Sequence, residues 1–314
     1  MLGVQDAGFS PVQVGVLLVL GRFSPLLTEQ VCCACGLSPR WARRTLSILA
    51  RRGAVDRRST PNRARLGRPQ LLSSITRTGL RTLKDAGVSS DPVLSARCES
   101  GLAHHLSCAN VALSILTGAA GHCLEPRFCP TTIGGSECRP DLHAILSRDG
   151  RATRLLIEVD LGTEPIRSSH LANSVERKLV AYASLLDAAM ERPDILGAPM
   201  GFRLLVVTTG QARLQNIYEA VQDVVAGDKG FVWLGLLDST GGRFLSSATW
   251  QSCGDHLGSR KSLISGADRA GAKCGAKPGA NPAPQSDVVK AHPEHRQGSL
   301  ESPPQLQVPC RERK

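Results

Sequence analysis

The chain has 314 residues, 41% of them hydrophobic, and a formal net charge of +11. That length supports about two domains, and the apolar share is ordinary for a soluble protein. The longest early apolar run, VGVLLVL at 14–20, is far short of the ~20 residues a membrane span needs. With no signal-peptide pattern at the start, the expectation is a cytoplasmic, bacterial protein with no membrane partner.

A helix is expected from Ser10 to Gly21, opening PVQVGVLLVLGRF. In the next stretch, SPLLTEQVCCACGLSPRWARRTLSILARRGAV, Thr28 is expected to cap a short helix that ends near Gly36. Ser38 should cap a second helix, since the following Pro39 suits a first helical position. Trp41, Thr45, Ile48 and Leu49 would form its inner stripe, with Arg40, Arg43, Arg44 and Arg51 elsewhere around it. Two helices joined by a short turn make a helix-turn-helix. AVDRRS and QLLSSIT then read as short strands around a basic tip, TPNRARLGRP, and Thr76 caps a closing helix. Residues 10–88 are therefore expected to fold as a winged helix-turn-helix domain.

Between Ser38 and Lys84 stand thirteen Lys/Arg against Asp56 alone. Positive charge concentrated in this way is the footprint of polyanion binding. Arg40, Arg43, Arg44 and Arg51 on the helix, with Arg57, Arg58, Arg63, Arg65 and Arg68 on the hairpin, are the candidate contacts to double-stranded DNA. The alternative is a small helical domain with a solvated basic face. Of the eleven cysteines, the CCAC cluster at 32–35 has its next cysteine only at Cys98. Zinc sites need a second ligand pair, so these residues read as small hydrophobes.

A Ser/Pro linker spans 88–98, and a helix follows in ESGLAHHLSCANVALSILTGAAG. CLEPRF, CRPDLHAIL, TRLLIEVDL, FRLLVVTT and FVWLGLLD read as strands, with helices near 169–189 and 212–226. Strands alternating with helices indicate an α/β domain with a mixed sheet, over 98–250. From Cys253 to Lys314 the chain is rich in Gly, Ser, Pro, Ala and charge without an apolar period, and is expected to be a disordered tail.

The chemistry gathers in LLIEVDLGTEPI, 155–166. Alternate strand residues share a face, so Leu156, Glu158 and Asp160 point one way and Leu155, Ile157 and Val159 the other. Paired carboxylates repel unless a cation or shared proton offsets them. A hairpin across SRDGRA would set Asp141 beside Glu158, and Lys178 lies on the next helix with Tyr182 one turn on. Asp141, Glu158 and Asp160 are candidate ligands for Mg2+, with Lys178 orienting or deprotonating a nucleophile. The alternative is structural pairing of the carboxylates with Arg154, Arg167 or Lys178. Thr163 and Glu164 are expected to cap the following helix, and His143 and His170 to have no role. Tyr182 reads as a buried aromatic or, less simply, as a topoisomerase-like nucleophile.

RPD, LLIEVDLGTE and KLVAYASLL downstream of a winged helix resemble the replication-relaxation family of bacterial plasmids and mobile elements. The matching run is Glu158, Val159, Asp160, Gly162, Thr163 and Glu164, then Lys178 and Tyr182. HHLSCANVALSIL is similar to that family's helix before the sheet, with His104 or His105 and Asn110 at its His and Asn. The resemblance covers about 10–240. It implies a restriction-endonuclease-like second domain, with Asp160 where that superfamily's lysine stands and Lys178 displaced to the helix. It implies action in plasmid replication, DNA relaxation or transfer, and leaves two forms open: a DNA endonuclease that nicks with Mg2+, or, because Asp160 replaces the lysine, a non-catalytic DNA-binding or assembly module. Replication or conjugation proteins and a second copy in a homodimer are the implied partners besides DNA. The alternative is a non-enzymatic winged-helix regulator whose α/β domain serves dimerisation or partner binding.

Overall fold

The computed structural model describes residues 8–60, 70–88, 92–94, 101–121, 124–129, 131–133, 138–148, 151–168, 174–196, 201–237, 245 and 249–263. Helix α1 (Pro11–Phe23) starts from Ser10, whose hydroxyl accepts from Gln13 N while Gln13 Oε1 accepts from Ser10 N. Such a reciprocal cap satisfies two N–H groups that the helix leaves unbonded. A short strand, β1 (Leu26–Leu27), leads into α2 (Thr28–Cys35), which ends on Gly36 at φ 61°. The left-handed conformation there is one that glycine adopts without a Cβ penalty.

Thr28 is not the cap expected of it: it is the first helical residue, and the Gln30 side chain accepts from Leu27 N instead. Helix α3 (Pro39–Arg51) opens as expected, with Ser38 Oγ accepting from Trp41 N. Strands β2 (Val55–Ser59) and β3 (Leu71–Ile75) pair antiparallel, and β3 also pairs with β1 to give the order β1-β3-β2. Thr76 caps α4 (Arg77–Asp85) by accepting from Gly79 N. The hairpin tip with Arg63, Arg65 and Arg68 lies outside the described residues. In the linker, Val93 N and Leu94 N both donate to Arg22 O, so this stretch closes the end of α1.

The second body starts with α5 (Leu102–Gly121) and continues with β4 (Glu125–Phe128), β5 (Leu142–Arg148) and β6 (Arg151–Asp160). These three strands run antiparallel, in chain order. Helix α6 (Val175–Glu191) then crosses over to β7 (Phe202–Thr208), and α7 (Gln211–Val224) to β8 (Val232–Leu236). Both crossovers give parallel pairs, the usual outcome of a strand–helix–strand unit. Two short antiparallel strands, β9 (Trp250–Ser252) and β10 (Arg260–Lys261), complete a seven-stranded sheet of order β10-β9-β8-β7-β6-β5-β4.

That end of the sheet corrects the expected boundary at 253. Cys253 and Leu263 are buried, and Leu263 N donates to Leu245 O. Sparse apolar residues suffice here because the backbone pairs with a pre-existing sheet. Residues 264–314 lie outside the described residues.

The alternation expected in β6 is what divides the core. Leu155, Ile157 and Val159 join α5 and the N-terminal helices in one apolar cluster, whereas Leu156 faces α6 and α7 in the other. The first cluster is continuous from Leu17 and Leu46 through Ile115 to Trp250. It is sealed by polar contacts between the two bodies. Gln30 Nε2 donates to Leu106 O (2.9 Å) and Asn110 Oδ1 (2.7 Å), and His105 Nε2 meets Phe23 O and Pro25 O.

Candidate functional site

Strands β6 and β7 run parallel and end together, with Asp160 in register with Thr208. In open α/β sheets the crevice beyond the carboxyl ends of strands is where ligands bind. At that edge a cavity of ≈ 360 Å³ is lined by His104, Asp141, Glu158, Asp160, Thr163, Glu164, Lys178 and Tyr182. All four candidate catalytic residues therefore reach one place, from β6, from α6 and from the segment leading into β5.

Register explains the meeting of Asp141 and Glu158. Leu142 pairs with Ile157, so the next step outward sets position 141 opposite 158. Asp141 Oδ2 accepts from Val159 N at 2.7 Å and lies 3.2 Å from His104 Nε2, which also contacts Val159 O at 3.0 Å. The hydrogen bond to Asp141 is the main reason that His104 holds its proton more tightly than an ordinary histidine. Cys108 Sγ lies 3.7 Å from His104 Nδ1, and His104, Cys108 and Asp141 bring potential ligand atoms within 4.8 Å of one another.

Glu158 is 8% exposed. Lys178 Nζ donates to Glu158 Oε2 (3.1 Å), and Tyr182 Oη donates to Glu158 Oε1 (2.5 Å). Burial, and then the charge of Asp141, push the Glu158 carboxyl up to about 7 despite these two bonds. Burial opposes the charge on Lys178, but Glu158 and Glu164 (2.9 Å) outweigh it and raise its pKa. Tyr182 is raised by burial and by the Glu158 charge. Its ring is buried, and its hydroxyl is directed at Glu158.

Asp160 turns elsewhere. Arg213, in the first turn of α7, grips both of its oxygens at 2.8 and 2.9 Å, and Thr208 Oγ1 and Gly162 N also donate to it. Burial opposes ionisation, yet these bonds prevail and hold the carboxyl below its usual range. Arg213 was missed in the sequence. The available signal was its position just past β7, at the edge where β6 also ends.

The other expected pairings are corrected. Arg154 bonds His143 Nε2 (2.8 Å) and Leu196 O (2.6 Å), and Arg167 pairs with Asp223. His143 thus has a buried partner, and His170 lies outside the described residues. Thr163 and Glu164 do not cap α6: Ser174 does, accepting from Arg177 N, while Glu164 holds Lys178.

In the N-terminal body, Arg40, Arg43, Arg44 and Arg51 are exposed on α3, Arg58 is exposed on β2, and Arg57 is partly buried. Trp41 is exposed with them, contrary to the inner stripe expected of it. Thr45 and Leu49 face the core as expected, Ala42 and Leu46 join them, and Ile48 is partly buried.

The fold and site define a mixed α+β protein with an acidic, lysine-bearing crevice in one body and an arginine-rich helical face on the other. A family model for replication-relaxation matches residues 17–195, more than half of the chain, and the chain belongs to that family. Membership gives it a replication-related role. The match runs from α1 to the turn after α6, so it includes Asp141, Glu158, Asp160 and Lys178 and stops short of Arg213. No curated protein and no solved structure matches. Among the described residues, no helix is long and apolar enough to cross a membrane.

Proposed function

We propose that the protein is a DNA-binding replication factor, with a winged helix that docks duplex DNA and a restriction-endonuclease-like domain that acts on phosphodiesters. For the first, the support is the order α1, β1, α2, α3, β2, β3 with a basic outer face on α3. A recognition helix in the major groove with a basic hairpin on phosphates is the docking such an order supports. For the second, the support is the meander β4-β5-β6 followed by parallel β7 and β8, flanked by α5, α6 and α7. The observation that carries this reading is the convergence of Asp141, Glu158 and Lys178 on one cavity.

A divalent cation fits this site. Asp141 and Glu158 supply the oxygen donors a hard cation takes, and a cation there would offset the burial and the Asp141 charge that raise Glu158. Asp160 is committed to Arg213 and is not a ligand in this reading. When bound, Mg2+ activates water and neutralises charge on the scissile phosphate. Lys178 holds positive charge beside that position, and Tyr182 fixes the direction of Glu158.

The test uses the full chain. Reversal of Arg43 and Arg44 to Glu is expected to weaken duplex binding in fluorescence anisotropy by at least about tenfold at low salt. Asp141→Asn and Glu158→Gln are expected to lose Mn2+ binding in calorimetry and Mg2+-dependent nicking of supercoiled plasmid, while keeping duplex affinity. Wild-type Mn2+ affinity in both variants would remove the cation site.

A second reading rests on a specific observation: each acid already has a basic neighbour. Asp160 has Arg213, Glu158 and Glu164 share Lys178, and Asp141 has His104. The second domain is then a non-catalytic module for DNA binding or assembly, and plasmid stays supercoiled with any divalent metal.

A further inference from the structure

The first turn of α3 carries a feature that phosphate binding does not require. Trp41 is 58% exposed, whereas Trp233 and Trp250 are 8% and 2% exposed. Ser38 Oγ accepts from the Trp41 backbone N–H, which sets Trp41 in the first turn of the helix. The Arg44 guanidinium lies 5.6 Å from the ring centroid, and Arg40 and Arg43 are exposed on either side in sequence. A large aromatic left in water forgoes the burial that makes such side chains dominate cores and interfaces. Its neighbours select what covers it. An apolar protein surface would have to strip water from three arginines without compensating them, while a polyanion pairs with them and offers flat apolar surface within its grooves.

We propose that Trp41 is a groove-contacting residue through which α3 grips duplex DNA, its ring against deoxyribose and base edges while Arg40, Arg43 and Arg44 meet phosphates. The proposal rests on the reading of the N-terminal body as a duplex-binding domain. It separates two kinds of contact. Phosphate neutralisation releases counterions and sets the slope of affinity against salt, whereas an apolar ring contributes affinity without changing that slope.

The experiment titrates a labelled 30-base-pair duplex with the full chain over a salt series, comparing parent, Trp41→Phe, Trp41→Ala and Arg43→Glu/Arg44→Glu. Trp41→Ala is expected to bind roughly tenfold or more weakly with an unchanged salt slope, and Trp41→Phe to recover most of that loss. The double reversal is expected to reduce the slope. As Trp41 is the exposed tryptophan among three, acrylamide quenching of the parent's fluorescence reports it directly, and saturating duplex is expected to suppress quenching. If Trp41→Ala binds like the parent while the double reversal does not, the duplex-binding reading stands and the role of Trp41 is refuted. Undiminished quenching in the complex refutes it equally. If the parent fails to bind duplex, both ideas fall together.

Discussion

The protonation of Glu158 links its burial to stability. Its carboxyl is raised to about 7 in the folded state, chiefly by burial and then by Asp141, from an ordinary value near 4.5. The folded state then holds a proton that the unfolded chain has released, so stability falls as pH rises across that window. His104 acts in the same direction: a histidine raised by folding contributes stability below its ordinary pKa that is lost as pH climbs past the folded value. Urea unfolding from pH 4.5 to 7.5 should show this decline, and Glu158→Gln should flatten the part due to Glu158. An equal slope in that variant would show that Glu158 does not hold the proton. Asp160 is the opposite case, an ionised acid fixed by one cation. Arg213→Met strands it and should cost roughly 3–5 kcal/mol in denaturant unfolding, because a largely buried charge is left unpaired. Asp160 and Arg213 changed together should lose less than the two single losses combined.

Among elements, α4 shows how closely the N-terminal body is assembled. Gly79 is buried, and a Cβ there would run into the carbonyl oxygen of Ala54 and stand 2.7 Å from Ile75 Cγ1. Backbone cannot yield as a flexible side chain does, so Gly79→Ala should destabilise by about 1–3 kcal/mol despite the better helix propensity of alanine. Thermal unfolding of the full chain measures it, and a gain in stability would show that α4 is free to shift. Helix α3 allows a milder check. Ser38→Ala removes the side chain that accepts from Trp41 N and should cost about 1 kcal/mol. Duplex affinity should fall with it in the proposed docking, since the cap holds the turn that bears Trp41.

Across the whole molecule, the two bodies share a core and a set of buried polar contacts. Consecutive residues of α5 serve different sides: His104 reaches Asp141 in the crevice, and His105 reaches the backbone of Phe23 and Pro25. Residues 10–88 are accordingly not a separable unit at the interface with α5. Gln30→Ala removes both of these bonds and should cost about 1–3 kcal/mol, at about 0.5–1.5 kcal/mol each. The parent should unfold in one transition, with far-ultraviolet circular dichroism and tryptophan fluorescence coincident, as a continuous core dictates. Two resolved transitions would contradict that account.

The local signals were legible in the sequence. Ser38–Pro39, Gly36 and Thr76 marked helix ends because capping is decided by a residue and its nearest neighbours. The alternation in LLIEVDL divided β6 between two faces because a strand's period is two whatever packs on it. Asp141 opposite Glu158 followed from a hairpin register, again a local matter. What only the tertiary structure decided is which cation each acid meets. Arg213 reaches Asp160 across 53 positions, while Arg154 and Arg167, nearer in sequence, bond elsewhere. Trp41 likewise fitted an inward stripe by spacing, and the rotation of α3 against α1 and α2 turned it outward. Pairing partners and helix rotation follow from how layers pack on the sheet, and no short-range pattern in a single chain encodes that geometry.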